Sequence, residues 1–169
     1  MSVEVVSFEP GYWEEVRQIY LDGIATGHAT FETSAPSWEE WDANHLKLGR
    51  FVAISAESGE VVGWAALNRV SARAVYASVA EVSVYVANEA RQTGIGKALL
   101  SKLVETSEQN GLWTLQASVF PENIASLSLH KSCGFREVGI RERIGCLNGV
   151  WRDTILLERR SQLVPERNT

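Results

Sequence analysis

Glu81-Val82-Ser83-Val84-Tyr85-Val86, a spacer of five residues, and Gln92-Thr93-Gly94-Ile95-Gly96-Lys97 decide how this chain is read. Val82, Val84 and Val86 share one face of the first segment and Glu81, Ser83 and Tyr85 the other, the two-residue period of a strand. Beyond the glycines, Ile95, Leu99, Leu100, Leu103 and Val104 recur at the helical period as a candidate buried stripe, and Asn110-Gly111 closes the helix. A strand therefore feeds a glycine-containing loop that opens a helix. The first amides of such a helix lack intrahelical acceptors and sit at the positive end of its dipole, so the junction suits an anion. Gly94 and Gly96 let the backbone approach closely, and Arg91 and Lys97 add charge at the rim.

On the N-terminal side, Val3 to Phe8 reads as a strand and Tyr12 to Ala25 as a helix. Residues 26 to 36 are irregular. Ser37 then caps a second helix, with Glu40 as its capping-box partner. Phe51 to Ala56 and Val61 to Leu67, joined by Glu57-Ser58-Gly59-Glu60, read as a hairpin, followed by a strand over Ala80 to Val86. On the C-terminal side come a strand over Leu112 to Phe120 and a short helix from Asn123 to Cys133. Two strand-like runs, Arg136 to Gly145 and Trp151 to Leu157, flank the turn signal Asn148-Gly149. The order β-α-α-β-β-β-α-β-α-β-β predicts an α/β (α+β) fold, a mixed sheet flanked by helices, in one domain over residues 1–160 with a polar, frayed tail over 161–169.

The chain has 169 residues, is 45% hydrophobic and carries a net charge of -5. It is long enough for a real core, and its acidity disfavours nucleic acid as a partner. No stretch reads as a signal peptide or membrane span, and Cys133 and Cys146 lack metal-site or disulfide spacing. We expect a cytoplasmic protein without a metal and without a membrane contact. His28 and His45 read as surface or loop residues, and the six tryptophans mostly as core or interface anchors.

Two phosphate-loop types fail on residues. A P-loop needs Gly at position 91 and Ser or Thr at 98, which are Arg91 and Ala98; a dinucleotide fingerprint needs Gly at 99, which is Leu99. Arg91-Gln-Thr-Gly94-Ile-Gly96 resembles instead the acetyl-CoA pyrophosphate loop of the GNAT superfamily of N-acetyltransferases, and the order of elements resembles the GNAT fold over nearly the whole chain. Asn123-Ile-Ala-Ser126 with Leu129-His130 and Gly134-Phe135 resembles the family's second block along the cofactor groove. Ala29-Thr-Phe31-Glu32-Thr33, the strand Ala80 to Val86 and Asn148-Gly149-Val-Trp151-Arg-Asp153 resemble the phosphinothricin and methionine-sulfoximine acetyltransferase branch.

The resemblance implies an N-acetyltransferase moving the acetyl group of acetyl-CoA directly to a small amino-acid-like amine in a ternary complex. It implies a mostly antiparallel sheet, with a bulge near Val84-Tyr85-Val86 that opens a gap for pantetheine, and Val84 N–H as donor to the thioester oxygen. The cofactor set is Val84, Tyr85, Val86, Arg91, Gln92, Thr93, Gly94, Ile95, Gly96, Lys97, Asn123 and Ser126. Glu81 is the candidate base, because an aliphatic ammonium with a pKa near 10 must lose a proton before it attacks. His130 stands where many members have a tyrosine acting as thiolate acid. Phe31, Glu32, Arg73, Tyr76 and Ser83 are the implied substrate contacts, and a homodimer is implied.

Blander readings stand beside these. Glu81 also reads as a sheet-surface carboxylate, His130 as a residue packed beside the cofactor, and Arg73 as a solvated charge; Trp151 and Asp153 read as supports of a dimer or of the acceptor site. Acetylation of other amines (amino acids, polyamines, protein N-termini) and a non-catalytic acyl-CoA sensor are the competing functions.

Overall fold

The computed structural model describes residues 1–163. Its strands are β1 (Val3–Ser7), β2 (Phe51–Ser55), β3 (Val61–Arg69), β4 (Val79–Val86), β5 (Thr114–Val119), β6 (Arg136–Leu147) and β7 (Val150–Arg160). Its helices are α1 (Trp13–Thr26), α2 (Trp38–Asn44), α3 (Ile95–Gln109) and α4 (Ile124–Ser132). The strands form one sheet in the order β1-β2-β3-β4-β5-β7-β6. Only β4 and β5 run parallel, because α3 carries the chain back across the sheet between them; the other neighbours are antiparallel. The fold class and the order of elements match the sequence reading.

Local chemistry sets the boundaries. The amide of Glu40 donates to Ser37 Oγ and the amide of Ser37 donates to the Glu40 carboxylate, so the expected capping box starts α2. Asn148 and Gly149 both have left-handed φ, 50° and 82°, as a tight β6–β7 turn requires. Arg143, also left-handed, marks an irregularity in β6, and its amide donates to Asp153 Oδ1 at 2.7 Å. Asp153 therefore stabilises the hairpin's own backbone.

The core lies on both faces of β3, which is buried from Val61 to Leu67. Ile95, Leu99, Leu100 and Leu103 of α3 cover one face. Val16, Ile19 and Tyr20 of α1 and Trp41 of α2 belong to the core on the other, where Tyr20 and Trp41 meet Trp64 edge-on. Truncating one of these leucines to alanine costs about 2–5 kcal/mol. Val104 is only half-buried; Ser107 completes the stripe, its hydroxyl donating to the Val104 carbonyl. Ser161, expected in a frayed tail, is buried: its amide donates to the Trp113 carbonyl and its hydroxyl to Glu108. The rest of that tail, from residue 164, lies outside the described residues.

Candidate active site

β4 and β5 begin as neighbours and then part. Their ladder holds three pairs, Val79 with Thr114, Ala80 with Leu115 and Glu81 with Gln116, and stops there. Each strand stays paired on its outer side, β4 to β3 as far as Val86 and β5 to β7 as far as Val119. The opening therefore needs no bulge: the β3–β4 register runs unbroken from Arg69 opposite Ala80 to Gly63 opposite Val86, contrary to the sequence expectation. The sheet forks because each strand follows a different neighbour.

The fork exposes backbone. Ala87 donates its amide to Val62 on β3. By the two-residue alternation of a strand, the N–H and C=O groups of Val84 and Val86 and the C=O of Val82, whose N–H closes the last β4–β5 pair, face the other way, into the gap that β5 vacates. These groups need partners, and an extended ligand chain laid in the gap supplies them as an added strand does. A cleft of about 1120 Å³ occupies the gap and continues to the start of α3.

At that start the first helical bond runs from the Ala98 amide to Gly94, leaving the amides of Ile95, Gly96 and Lys97 without intrahelical acceptors. Gly94 has φ 85°, a conformation side chains rarely adopt. Gly96 serves packing instead: a Cβ there would meet Leu129 Cδ2 at 3.1 Å, so α3 and α4 approach closely only around a glycine. Arg91, Gln92, Gly94, Ile95, Gly96 and Lys97 line the cleft, with Val84, Tyr85, Val86, Asn123 and Ser126. Thr93 does not; its hydroxyl donates to the Ala90 carbonyl.

A second cavity of about 690 Å³ lies between β3, β4, α2 and the α1–α2 loop. Tyr20, Trp41, Trp64 and Tyr85 form its aromatic wall, with the Trp64 and Tyr85 rings stacked at 4.7 Å. Burial first, then Tyr20 beside it and Glu32 nearby, holds the Tyr85 phenol far above its usual range, so it stays neutral. Glu81, Ser83, Tyr85 and Thr30 line both cavities. The two spaces therefore meet where β4 leaves β5, and the Glu81 carboxylate stands at the junction, accepting a hydrogen bond from Gln116 Nε2 at 3.2 Å.

His130 is buried in the cleft wall. Its Nδ1 lies 2.7 Å from the Ser126 carbonyl, so that nitrogen carries the ring proton. Burial lowers the His130 pKa, which favours the neutral ring. A neutral imidazole donating from Nδ1 has only a lone pair on Nε2, and the geometry opposes the thiolate-acid reading. His45 lines the second cavity in the same state: Nδ1 is 2.7 Å from the Trp41 carbonyl, the ring stacks on Trp41 at 4.0 Å, and burial depresses its pKa.

The loop over both cavities is strapped down. The Arg152 guanidinium on β7 donates to the Gly27 carbonyl at 2.9 Å and to Glu122 at 3.2 Å, and lies over the Phe120 ring at 4.1 Å. Phe31 packs edge-on against Phe120 and sits over Gly145, where a Cβ would meet its ring at 2.7 Å. Asn123 caps α4 by accepting from the Ser126 amide, and donates to the His28 carbonyl.

The fold thus brings together Glu81, Ser83, Phe31, Glu32 and the cofactor set apart from Thr93. It does not bring in Arg73 and Tyr76, which are exposed, line neither cavity, and stack on each other at 5.4 Å. Sequence reading missed Gln116, Arg152 and His45. The alternation of β5 puts Gln116 on the half-exposed face, but nothing in the sequence joins it to Glu81, 35 residues away. Among the described residues no group of three or more His, Cys, Asp or Glu side chains could hold a metal ion, and no helix is long and apolar enough to cross a membrane.

Comparison with known proteins agrees with this geometry. Residues 13–135 match the acetyltransferase (GNAT) family. The chain is 33% identical over 148 residues to a phosphinothricin N-acetyltransferase of Alcaligenes faecalis, covering 85% of this chain and 75% of that protein. It is 28% identical over 144 residues to an L-methionine sulfoximine/L-methionine sulfone acetyltransferase of Pseudomonas aeruginosa, covering 83% and 84%. A crystal structure of a phosphinothricin acetyltransferase from Sinorhizobium meliloti in complex with AcCoA superposes with a TM-score of 0.85 at 29% identity, covering 95% of this chain and 89% of that one.

Proposed function

The chain belongs to the acetyltransferase (GNAT) family and is an acetyl-CoA-dependent N-acetyltransferase, and from that premise we propose that it acetylates the primary amine of a small amino-acid-like molecule by direct transfer within a ternary complex. The observation that carries this reading is the meeting of the two cavities at Glu81 and Ser83. One cavity has the length and unpaired backbone for an extended cofactor arm, and the other has the size of a small acceptor.

Acetyl-CoA supplies the activated acyl group: the deprotonated amine nitrogen bonds to the thioester carbon, the C–S bond breaks, CoA leaves as thiolate, and the second proton that nitrogen sheds in becoming an amide passes to the thiolate through solvent. The residues of the chain do the rest. Amides at positions 95–97 hold the diphosphate, and the backbone at Val84 and Val86 holds the arm, with Val84 N–H donating to the carbonyl oxygen. Glu81 takes the ammonium proton, directly or through a water, and Gln116 fixes the carboxylate's orientation. A thiol with a pKa near 8.5 leaves without a protein acid, which suits a neutral His130.

Phosphinothricin and methionine sulfoximine or sulfone are the leading acceptor types, because relatives carrying those names span most of this chain. We propose a homodimer through the β6–β7 ribbon, which leaves Ile140 and Trp151 each 63% exposed; light scattering of Trp151→Glu tests it. The functional test is an acceptor panel with acetyl-CoA, reading free thiol. Transfer to small amino acids supports the proposal. Transfer confined to polyamines or peptide N-termini, or CoA binding without turnover, contradicts it.

A further inference from the structure

The two cavities form one continuous path. The cleft follows the backbone that β5 leaves unpaired, and it meets the second cavity at Thr30, Glu81, Ser83 and Tyr85, which line both. Past the polar collar of Thr30, Glu81 and Ser83 the surroundings change. Tyr20, Trp41 and Trp64 line the space there and are each at least nine-tenths buried. Trp64 stacks on Tyr85 at 4.7 Å, and Tyr20 meets both rings edge-on. Burial raises the Tyr20 and Tyr85 phenols, so both stay neutral, and burial favours the neutral His45 ring. Glu32, Glu40 and Arg69 border the same cavity as exposed residues, at its rim. Beyond Glu81, therefore, an uncharged aromatic slot within a space of about 690 Å³ opens from the cleft.

We infer that this slot takes the acyl chain of CoA thioesters longer than acetyl, so that such thioesters inhibit the enzyme by occupying both substrate positions at once. The inference rests on the cofactor reading of the cleft, with the thioester at the junction. An acetyl methyl ends within the collar and leaves the second cavity free for the amine. A propanoyl group adds one carbon among Glu81, Ser83 and Thr30, where little apolar surface is buried. From butanoyl onward each methylene passes the collar and packs on Tyr85, Trp64 and Tyr20, and a fully buried methylene contributes about fourfold in affinity. The chain carries no charge, so the ionised groups at the rim neither hold nor repel it. The same methylenes fill the space the attacking amine needs, so a longer thioester binds tightly and transfers poorly.

Calorimetry of the full chain with acetyl-, propanoyl-, butanoyl- and hexanoyl-CoA tests this without turnover. The expected series is flat from acetyl to propanoyl and then tightens by about two- to fourfold per methylene, which puts hexanoyl-CoA about tenfold or more above acetyl-CoA. In the thiol-release assay hexanoyl-CoA should inhibit acetyl transfer competitively against the amine as well as against acetyl-CoA. As a donor it should work at less than about a tenth of the acetyl rate. Ser83 lines both spaces, so Ser83→Leu narrows the junction and should flatten the series. Affinity that stays level or falls from propanoyl to hexanoyl overturns the inference. So does a rise that survives Ser83→Leu or is noncompetitive with the amine, which puts the chain elsewhere, and so does hexanoyl transfer at the acetyl rate. If no amine is acetylated, the acceptor reading falls, while the chain-length series and Ser83→Leu still decide this inference. Absence of CoA binding overturns the cofactor reading and this inference with it.

Discussion

Gln116 donates to the Glu81 carboxylate across the last rung of the parallel β4–β5 ladder. The proposed base is thus held at the point where the sheet opens, by the strand about to leave. Gln116→Leu removes the donor at similar size. We expect kcat to fall about tenfold with KM for acetyl-CoA unchanged and the acidic limb of the pH–rate profile displaced. A purely structural role would lower thermal stability and leave the pH profile in place, and Gln116→Asn should recover part of the loss only if orientation matters.

The two glycines should separate by mechanism. Gly94→Val forces a β-branched residue into a left-handed conformation beside the amides proposed to receive the diphosphate. Calorimetry should show acetyl-CoA binding weakened at least about tenfold, the effect of losing one or two charge-assisted hydrogen bonds. Gly96→Val instead presses on Leu129 and should lower thermal stability by about 1–3 kcal/mol through overpacking.

Arg152 joins the α1–α2 loop to the turn before α4, and its side chain is 14% exposed. Arg152→Ala should raise KM for the acceptor several-fold with a smaller change in kcat, because the loop carrying Phe31 and Glu32 loses its anchor. Limited proteolysis should show faster cleavage near residues 27–34. Unchanged proteolysis with lost activity would assign Arg152 a direct role in catalysis instead.

Stability should depend on pH through the buried histidines. Burial lowers the pKa of both His130 and His45 below the value near 6.5 expected in the unfolded chain. On acidification the unfolded state binds these protons first, so stability falls as pH drops below about 6.5. Denaturant melts at pH 7, 6 and 5 should show that decline, and His130→Gln should make it shallower. A slope identical in the variant would remove His130 from the account.

The strands, the four helices and the glycine loop that opens α3 were legible because each leaves a periodic or punctuating signal: the alternation of 81–86, the stripe from Ile95 to Leu103, the capping box at Ser37, the turn at Asn148-Gly149. What escaped is held through space. Arg152 reaches Gly27 across 125 residues, and Ser161 looks like a tail residue until β7 delivers it to Glu108. Arg73 and Tyr76 entered by resemblance alone, and the short helical turn before β4 keeps them outside both cavities. His45 reads as a loop residue because its partner is a backbone carbonyl, which no side-chain pattern reports.

The most direct test pairs acetyl-CoA calorimetry with thiol release from Glu81→Gln, using methionine sulfone as acceptor. We predict binding equal to that of the unaltered protein and turnover reduced by about 10²–10⁴, the range for a lost general base. Turnover at the original rate in the variant, or no binding of acetyl-CoA to the original protein, would contradict it.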